Sequence, residues 1–588
     1  MTVSYSQFET HPRAVDQWLD NLPIASIGET ARQLYMAMRD VNRQDTVNVK
    51  HHFHMLEGIC EPLSLILPEL DRHYAGKPLP LSAKRRKVAD LYTQLLRQVV
   101  LGYQQVIAHS IDLNRFGWKK VVTTSVHRIF SFSSLLLCNY RMLYMPYQKG
   151  MWQQLYWIYQ LVEKYELLNV KIPVLGGKHY KTTISTEFKK LLLHSLLSPN
   201  LFKPEELKNV IDNLDACVQY TSILTMLPSD NQQTFAFTLE TDLAPGLIAQ
   251  ELTETYQNVD VRFLDVSNLL RHLYKILGNA KPGVDSIKLA RGKMASRRSL
   301  VILLNSWGRP PSRDSERRPV QGQAEVAIGV SAIHYVISNG RAVGNNKPEP
   351  AATPVQAEPE KPAEQTADDD FSITIPPVQH NTEGQLTFTT DRELEADVWD
   401  TAYFDPKPEP PSWTESMRMK VYSYLNAKVL NISKGGFCIA LPQDGIEHIQ
   451  TNELVVVRGK ADQWHLGEIR WMVCPTTGPI RAGVQKLSQV VIPAELHFKN
   501  ELKCQPIKCL LGRTNNEHTL FLPSLPTQLD GRSLELEFDG DKHPIKLIEQ
   551  QSLSPIGSAY RIEIVDRSAT QASLAKNNKD YDSIWASL

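Results

Sequence analysis

The chain reads as a multidomain α+β protein: an N-terminal helical bundle, a small α/β unit, a C-terminal antiparallel β-barrel and an additional β unit. Three observations point there. At 588 residues it has room for roughly four domains, taking about 150 residues for each. Apolar residues recur at helical spacing through the first 225 positions and switch to alternation, punctuated by turn residues, in the last 170 or so. Between Asn345 and Asp370 the composition turns to Pro, Ala and acidic residues, which marks an insertion inside the β-rich part.

The helical domain is expected over residues 1–225. Ser26 and Glu29 have capping-box spacing before ARQLYMAMRDV, and Ser82 precedes a long pattern in which Leu91, Leu95 and Val99 share one face. Trp152, Leu155, Tyr156, Tyr159 and Val162 form another apolar face, read as core. Pro204, Glu205 and Glu206 suit the first turn of a further helix. Over 230–308 a small α/β domain is predicted: Phe235, Phe237 and Leu239 alternate, as do Val259, Val261 and Phe263, around a helix over Ala244–Tyr256. Ser267 caps a helix through Leu277, and SLVILLNSW ends another.

Residues 309–340 hold a run of arginines followed by a strand-like stretch, Ala324 to Ile337. Residues 341–412 are expected to be a disordered Pro/acidic insertion, extended and self-repelling between Asn345 and Asp370. Short β-branched strands resume over 413–495. A second β unit spans 496–568, with strands at Thr519–Leu522, Leu534–Phe538 and Ala559–Ile564, and a polar tail covers 569–588.

Composition excludes several classes. Lys and Arg number 64 and Asp and Glu 64, so no global charge favours a nucleic acid polymer or an anionic membrane. The N-terminus MTVSYSQFETHPR lacks a secretory pattern, and no uninterrupted apolar run approaches the ~20 residues of a membrane span, so a cytoplasmic protein without membrane insertion is expected. Seven scattered cysteines suit a reducing compartment. His51, His52 and His54 are read as a packed or solvated cluster, and no metal is predicted. No phosphate loop, zinc-protease helix or nucleophile elbow occurs, so the protein is expected not to be an enzyme.

The most specific local feature is Asn431-Ile432-Ser433-Lys434-Gly435-Gly436-Phe437. Asn and Ser two residues apart can bond back to the main chain, and paired glycines admit positive φ and close backbone approach. On the residues alone this is a tight polar turn, either satisfying only itself or facing a ligand. Downstream, Leu466-Gly467-Glu468-Ile469-Arg470-Trp471 and Arg481-Ala482-Gly483-Val484-Gln485 have the content of further strands.

These three blocks, in this order, resemble PilZ domains, bacterial receptors for cyclic di-GMP. The resemblance covers about a fifth of the chain and implies a PilZ-like antiparallel barrel with Asn431, Ser433 and Gly436 at the nucleotide. PilZ proteins add an Arg-x-x-x-Arg pair, whose guanidinium forks suit phosphates and guanine edges. Arg418 and Lys420, just upstream, do not make that spacing, but Arg313 and Arg317 do, with Arg318 adjacent and Arg309 in reserve. A split barrel follows from this assignment. The same arginines also read as a solvated linker broken by Pro310, Pro311 and Pro319, or as part of the preceding domain. The resemblance implies a cyclic di-GMP effector in motility, pilus or biofilm control, and the helical bundle is read on its own pattern as the region that docks an unidentified protein. The alternative is a degenerate PilZ scaffold acting by protein contacts alone. Neither enzymes that make cyclic di-GMP nor those that break it are signalled by any motif here.

Overall fold

A computed structural model describes residues 11–564, with breaks of one to seven residues and two longer ones, 248–259 and 343–423, the latter interrupted only by four strand residues. The chain divides into two compact units: residues 1–77, 81–311 and 371–406, and residues 78–80, 312–370 and 407–588.

The first unit begins with the helices α1 (Pro12–Asp20), α2 (Ile27–Asn42), α3 (Val49–Arg72), α4 (Ala83–Ile111), α5 (Trp118–Met142) and α6 (Met151–Lys164). Ser26 stands at the N-cap of α2, yet its hydroxyl makes no capping bond; the Thr30 hydroxyl donates to the Ser26 carbonyl instead. Helix α5 is long and apolar enough to cross a membrane, and most of it is buried in the bundle. Lysines, His127 and two arginines interrupt its apolar runs in sequence. Arg128 is held inside by a carboxylate: its Nε and Nη2 donate to Glu57 of α3 at 3.0 and 3.1 Å, and Tyr103 of α4 donates to the same group at 2.6 Å. The three imidazoles near the start of α3 have separate surroundings: His52 bonds Asn42 at 3.1 Å, His54 meets Asp16 at 2.9 Å, and His51 lies edge-on to His11.

A small pair, β1 (Lys171–Pro173) and β2 (Lys181–Thr183), leads into α7 (Ile184–Ser195), α8 (Pro204–Asp212) and the single turn α9 (Leu214–Cys217). Strands β3 (Ser222–Leu224), β4 (Thr234–Thr238), β5 (Gly246–Leu247) and β6 (Val261–Asp265) form an antiparallel sheet in the order β3-β6-β4-β5. The helix expected from Ala244 does not start there. Pro245 and Gly246 disfavour it, and Gly246–Leu247 pair with β4 as an edge strand; residues 248–256 lie outside the described residues. Helix α10 (Ser267–Asn279), the pair β7 (Ser286–Lys288) and β8 (Met294–Ser296), and α11 (Arg297–Trp307) complete the unit. One apolar core runs from Val15 to Trp307, so helices and sheet share it. Phe188 stacks on Tyr159 and meets Phe237 of the sheet within it.

The second unit opens with β9 (Arg318–Ile328) and α12 (Val330–Ala342). The single strand expected over Ala324–Ile337 is therefore corrected. Alternation ends at Ile328, Gly329 turns the chain at a φ of +86°, and Val330, Ile333 and Ile337 then recur at helical spacing. Next in the chain come the two-residue strands β10 (Gln379–His380) and β11 (Leu386–Thr387), which pair with each other and belong to the first unit. The remaining strands are β12 (Leu425–Ser433), β13 (Gly436–Leu441), β14 (Leu454–Arg458), β15 (Trp464–Val473) and β16 (Ile480–Ser488), then β17 (Val491–Phe498), β18 (Ile507–Thr514), β19 (Glu517–Pro523), β20 (Leu534–Phe538), β21 (Asp541–Leu553) and β22 (Gly557–Ile564). They make two closed antiparallel barrels, β12-β13-β16-β15-β14-β9 and β17-β18-β19-β22-β21-β20. Strand β9 thus completes the first barrel from across the insertion. Helix α12 is wedged between the two barrels, with Val330, Ile333, Val336 and Ile337 packed on Val456 and Leu466 of the first and Val491, Leu510 and Phe521 of the second.

Candidate functional site

The β12–β13 hairpin carries the polar sequence singled out above. Ser433 and Gly436 face each other across a two-residue loop, Lys434–Gly435. The Ser433 hydroxyl donates to the Gly436 carbonyl at 3.1 Å, so its proton is used within the turn while its lone pairs remain available. Asn431 is half-buried, opposite Cys438 on one side and Pro319 on the other, and among the described residues its amide makes no hydrogen bond.

The glycines act differently from the expectation of positive φ, which neither Gly435 nor Gly436 adopts. A Cβ on Gly436 would stand 2.1 Å from the Val484 carbonyl oxygen, so this position lacks a side chain because β16 passes against it. The same addition at Gly435 meets open space. Gly435 instead accepts a backbone bond from Lys486 at 3.0 Å, tying the loop to β16.

The arginine run reaches this hairpin through strand pairing. On its other edge β12 pairs with β9, with Ile432 opposite Arg318 and Asn431 opposite Pro319. Directly opposed residues in an antiparallel pair have Cα atoms about 4.5–5.5 Å apart. Arg318, more than a hundred residues away in sequence, is thus a direct neighbour of the Asn431–Ser433 segment, and Arg317 lies one residue beyond the pairing. Both are exposed and, among the described residues, neither has a carboxylate partner. Arg313 and Arg309 lie outside the described residues.

Sequence reading missed a third cation, Arg481. It sits on β16 opposite Ala440, two residues from Gly483, which pairs with Cys438. Arg481 is exposed and also without a carboxylate partner among the described residues. Burial pushes the Cys438 thiol up, against the opposing pull of Arg317 and Arg481, whose charges both reach it. The signal was available: in Arg481-Ala482-Gly483 a charge alternates with a fully buried alanine, which places the guanidinium on the solvent side of the strand. Beside it the indole of Trp471 covers Gly483 so closely that a Cβ there would meet Nε1 at 1.9 Å. Pro319, Asn431, Cys438, Gly483 and Trp471 therefore form one row across five strands.

A six-stranded antiparallel barrel with this hairpin, bordered by an arginine-bearing strand, has the architecture of a PilZ domain, and this part of the chain matches a PilZ family model. Residues 234–493 match the family described as "Cyclic-di-GMP receptor FimW, middle PilZ domain", and residues 13–229 match "Cyclic-di-GMP receptor FimW, N-terminal domain". Over 98% of its length, and 96% of the relative's, the chain is 22% identical to the cyclic-di-GMP receptor FimW of Pseudomonas aeruginosa. No solved structure matches it.

Proposed function

We propose that this protein is a cytoplasmic cyclic di-GMP receptor that acts as an effector rather than an enzyme. The observation that carries this reading is the β9–β12 register, which sets Arg318 opposite Ile432, between Asn431 and Ser433. The ligand is a dianion with two guanine faces. It needs cations without internal partners and polar groups with open valences, and Arg317, Arg318 and Asn431 are of that kind. Arg317 and Arg318 clamp phosphate and the Hoogsteen edge of guanine, and Arg313, four residues before Arg317 in the sequence, is the further candidate for this role. Asn431 and Ser433 bond a base or phosphate oxygen, and Gly436 keeps the hairpin pressed on β16 beneath the nucleotide.

The similarity to a protein named as a cyclic-di-GMP receptor supports the ligand class. Motility, pilus or biofilm control, with a protein partner docked on the helical unit, is the downstream reading. Calorimetry of the full chain with cyclic di-GMP is the test. Micromolar or tighter binding is expected, lost on Arg317→Ala with Arg318→Ala and weakened by Asn431→Ala or Ser433→Ala. Absence of heat from the unmutated protein rejects the receptor and leaves a scaffold that acts by protein contacts alone.

A further inference from the structure

The second barrel lies almost wholly beyond the two family matches, which end at residue 493, and it carries a cluster that the proposed nucleotide site does not use. Strand β17 closes this barrel by pairing with β20, with Glu495 directly opposite Glu537 and His497 opposite Glu535. Ala494, Leu496 and Leu536 point into the core, so Glu495, His497 and Glu537 share the outer face. One donor atom from each lies within 4.8 Å of the others.

Two carboxylates directly across a strand pair repel each other unless a cation stands by. Here several cations do. Lys508 faces Glu495 from β18, and Lys542, on β21, is 3.5 Å from Glu537. The imidazole is the unusual member. Nε2 of His497 is a buried atom 2.9 Å from a Glu537 carboxylate oxygen, an ion pair when the imidazole is protonated. When the imidazole is neutral, the same nitrogen and carboxylate oxygen can instead converge on one ion, with Glu495 as the third ligand. Ligands about 2.0–2.2 Å from a metal sit roughly 3 to 3.5 Å from one another, a change that rotation of the glutamate side chains can supply. Lys542 is half-exposed and can swing into solvent as the ion enters.

We infer that Glu495, His497 and Glu537 form a binding site for a divalent transition-metal ion, such as zinc, on the outer face of the second barrel. One nitrogen and two carboxylate ligands suit zinc and leave a position for water or for a ligand from another molecule. The ion bridges β17 and β20, the seam that closes the barrel between strands distant in sequence. It therefore acts as a staple there, stabilising the folded form by mass action.

The test is a zinc titration of the full chain, read by calorimetry and by thermal unfolding. One ion per chain at this site and a rise of several degrees in the unfolding temperature are expected. His497→Gln and Glu537→Gln each abolish both effects while leaving the metal-free circular dichroism spectrum unchanged. Lys542→Ala, which removes the competing cation without touching a ligand, tightens zinc binding at least severalfold. Cobalt in place of zinc adds a visible absorption that His497→Gln removes, a change that loss of packing alone does not produce. No binding by the unmutated protein, or binding indifferent to His497→Gln and Glu537→Gln, overturns the site.

Discussion

Replacing Gly436 by alanine separates what the hairpin does for the fold from what it does for a ligand. The added Cβ would stand 2.1 Å from the Val484 carbonyl oxygen, 3.1 Å from its carbonyl carbon and 3.3 Å from the Gln485 Cα, all backbone atoms that no rotamer change can move. Carbon and oxygen approach to about 3.3 Å at closest in a comfortable contact, so β13 and β16 must part by roughly 1 Å. Ladder bonds of about 2.9 Å then lengthen to about 4 Å, outside bonding range. The loss of about two bonds at ~1 kcal/mol each, with misfit of about 1–3 kcal/mol, amounts to roughly 4 kcal/mol. Gly435→Ala is the control: its Cβ meets open space and its φ is not positive, so the change stays within ~1 kcal/mol. Urea unfolding of both variants, with amide exchange followed in peptides covering 425–441 and 480–488, reads the difference. Gly436→Ala should raise exchange in both strands and lower the midpoint, and its nucleotide binding should fall along with the folded fraction. Equal midpoints for the two variants would refute the steric argument.

Arg481→Ala should weaken cyclic di-GMP binding severalfold without changing the unfolding midpoint, since the side chain is exposed and no partner is lost; calorimetry beside a melting curve checks both. Arg128→Ala leaves the partly exposed Glu57 without its guanidinium and should cost about 2–3 kcal/mol, measured by denaturant unfolding, whereas Arg128→Ala with Glu57→Gln should recover part of that. Burial lowers His52, His127 and His465 to about 4, with Lys486 adding to the effect at His465. Their folded pKa lies below the unfolded value of about 6.5, so the unfolded chain binds more protons between those limits, and stability is full above pH 7 and falls as pH drops from 6.5 to 4. At about 1.4 kcal/mol per unit each imidazole contributes roughly 3 kcal/mol to that fall, and His465→Gln should flatten the acid limb of the second unit's unfolding.

Much of this architecture was legible because helical and strand periods are local. The faces through Leu91, Leu95 and Val99, and through Trp152 to Val162, became buried sides of α4 and α6, and the blocks at Leu466–Trp471 and Arg481–Gln485 became adjacent strands. Errors arose where one residue reverses the period. Gly329 divides an apolar stretch into a strand and a helix, and at Pro245–Gly246 an edge strand stands where a helix was expected to start. Strand register is non-local, and it decides the sites. Nothing within ten residues of Arg318 indicates that Ile432 lies opposite, and nothing near Glu495 indicates Glu537. Arg481 was visible as part of a strand, but its place near Cys438 required the β13–β16 register.

That a barrel can be divided between β9 and β12 has a topological reason. The two strands are antiparallel neighbours, with Val326 near the end of one opposite Leu425 at the start of the other, so the intervening chain leaves and re-enters the barrel at the same end. It is a hairpin connection lengthened to about a hundred residues. Each doubling of a loop costs only about 0.6 kcal/mol in closure entropy, so extending a connection of about six residues to that length costs roughly 2.5 kcal/mol. The seven paired positions of β9 with β12, the pairing with β14 and the packing of α12 between both barrels offset such a cost readily. The division therefore leaves the barrel intact and gives it a property a continuous hairpin lacks. The strand that begins at Arg318, next to Arg317, runs directly into the helix that touches the second barrel. A ligand that engaged those arginines and Asn431 together would stabilise the β9–β12 seam by its differential affinity for the paired form, and α12, packed on both barrels, would be the element to carry that preference to the second barrel.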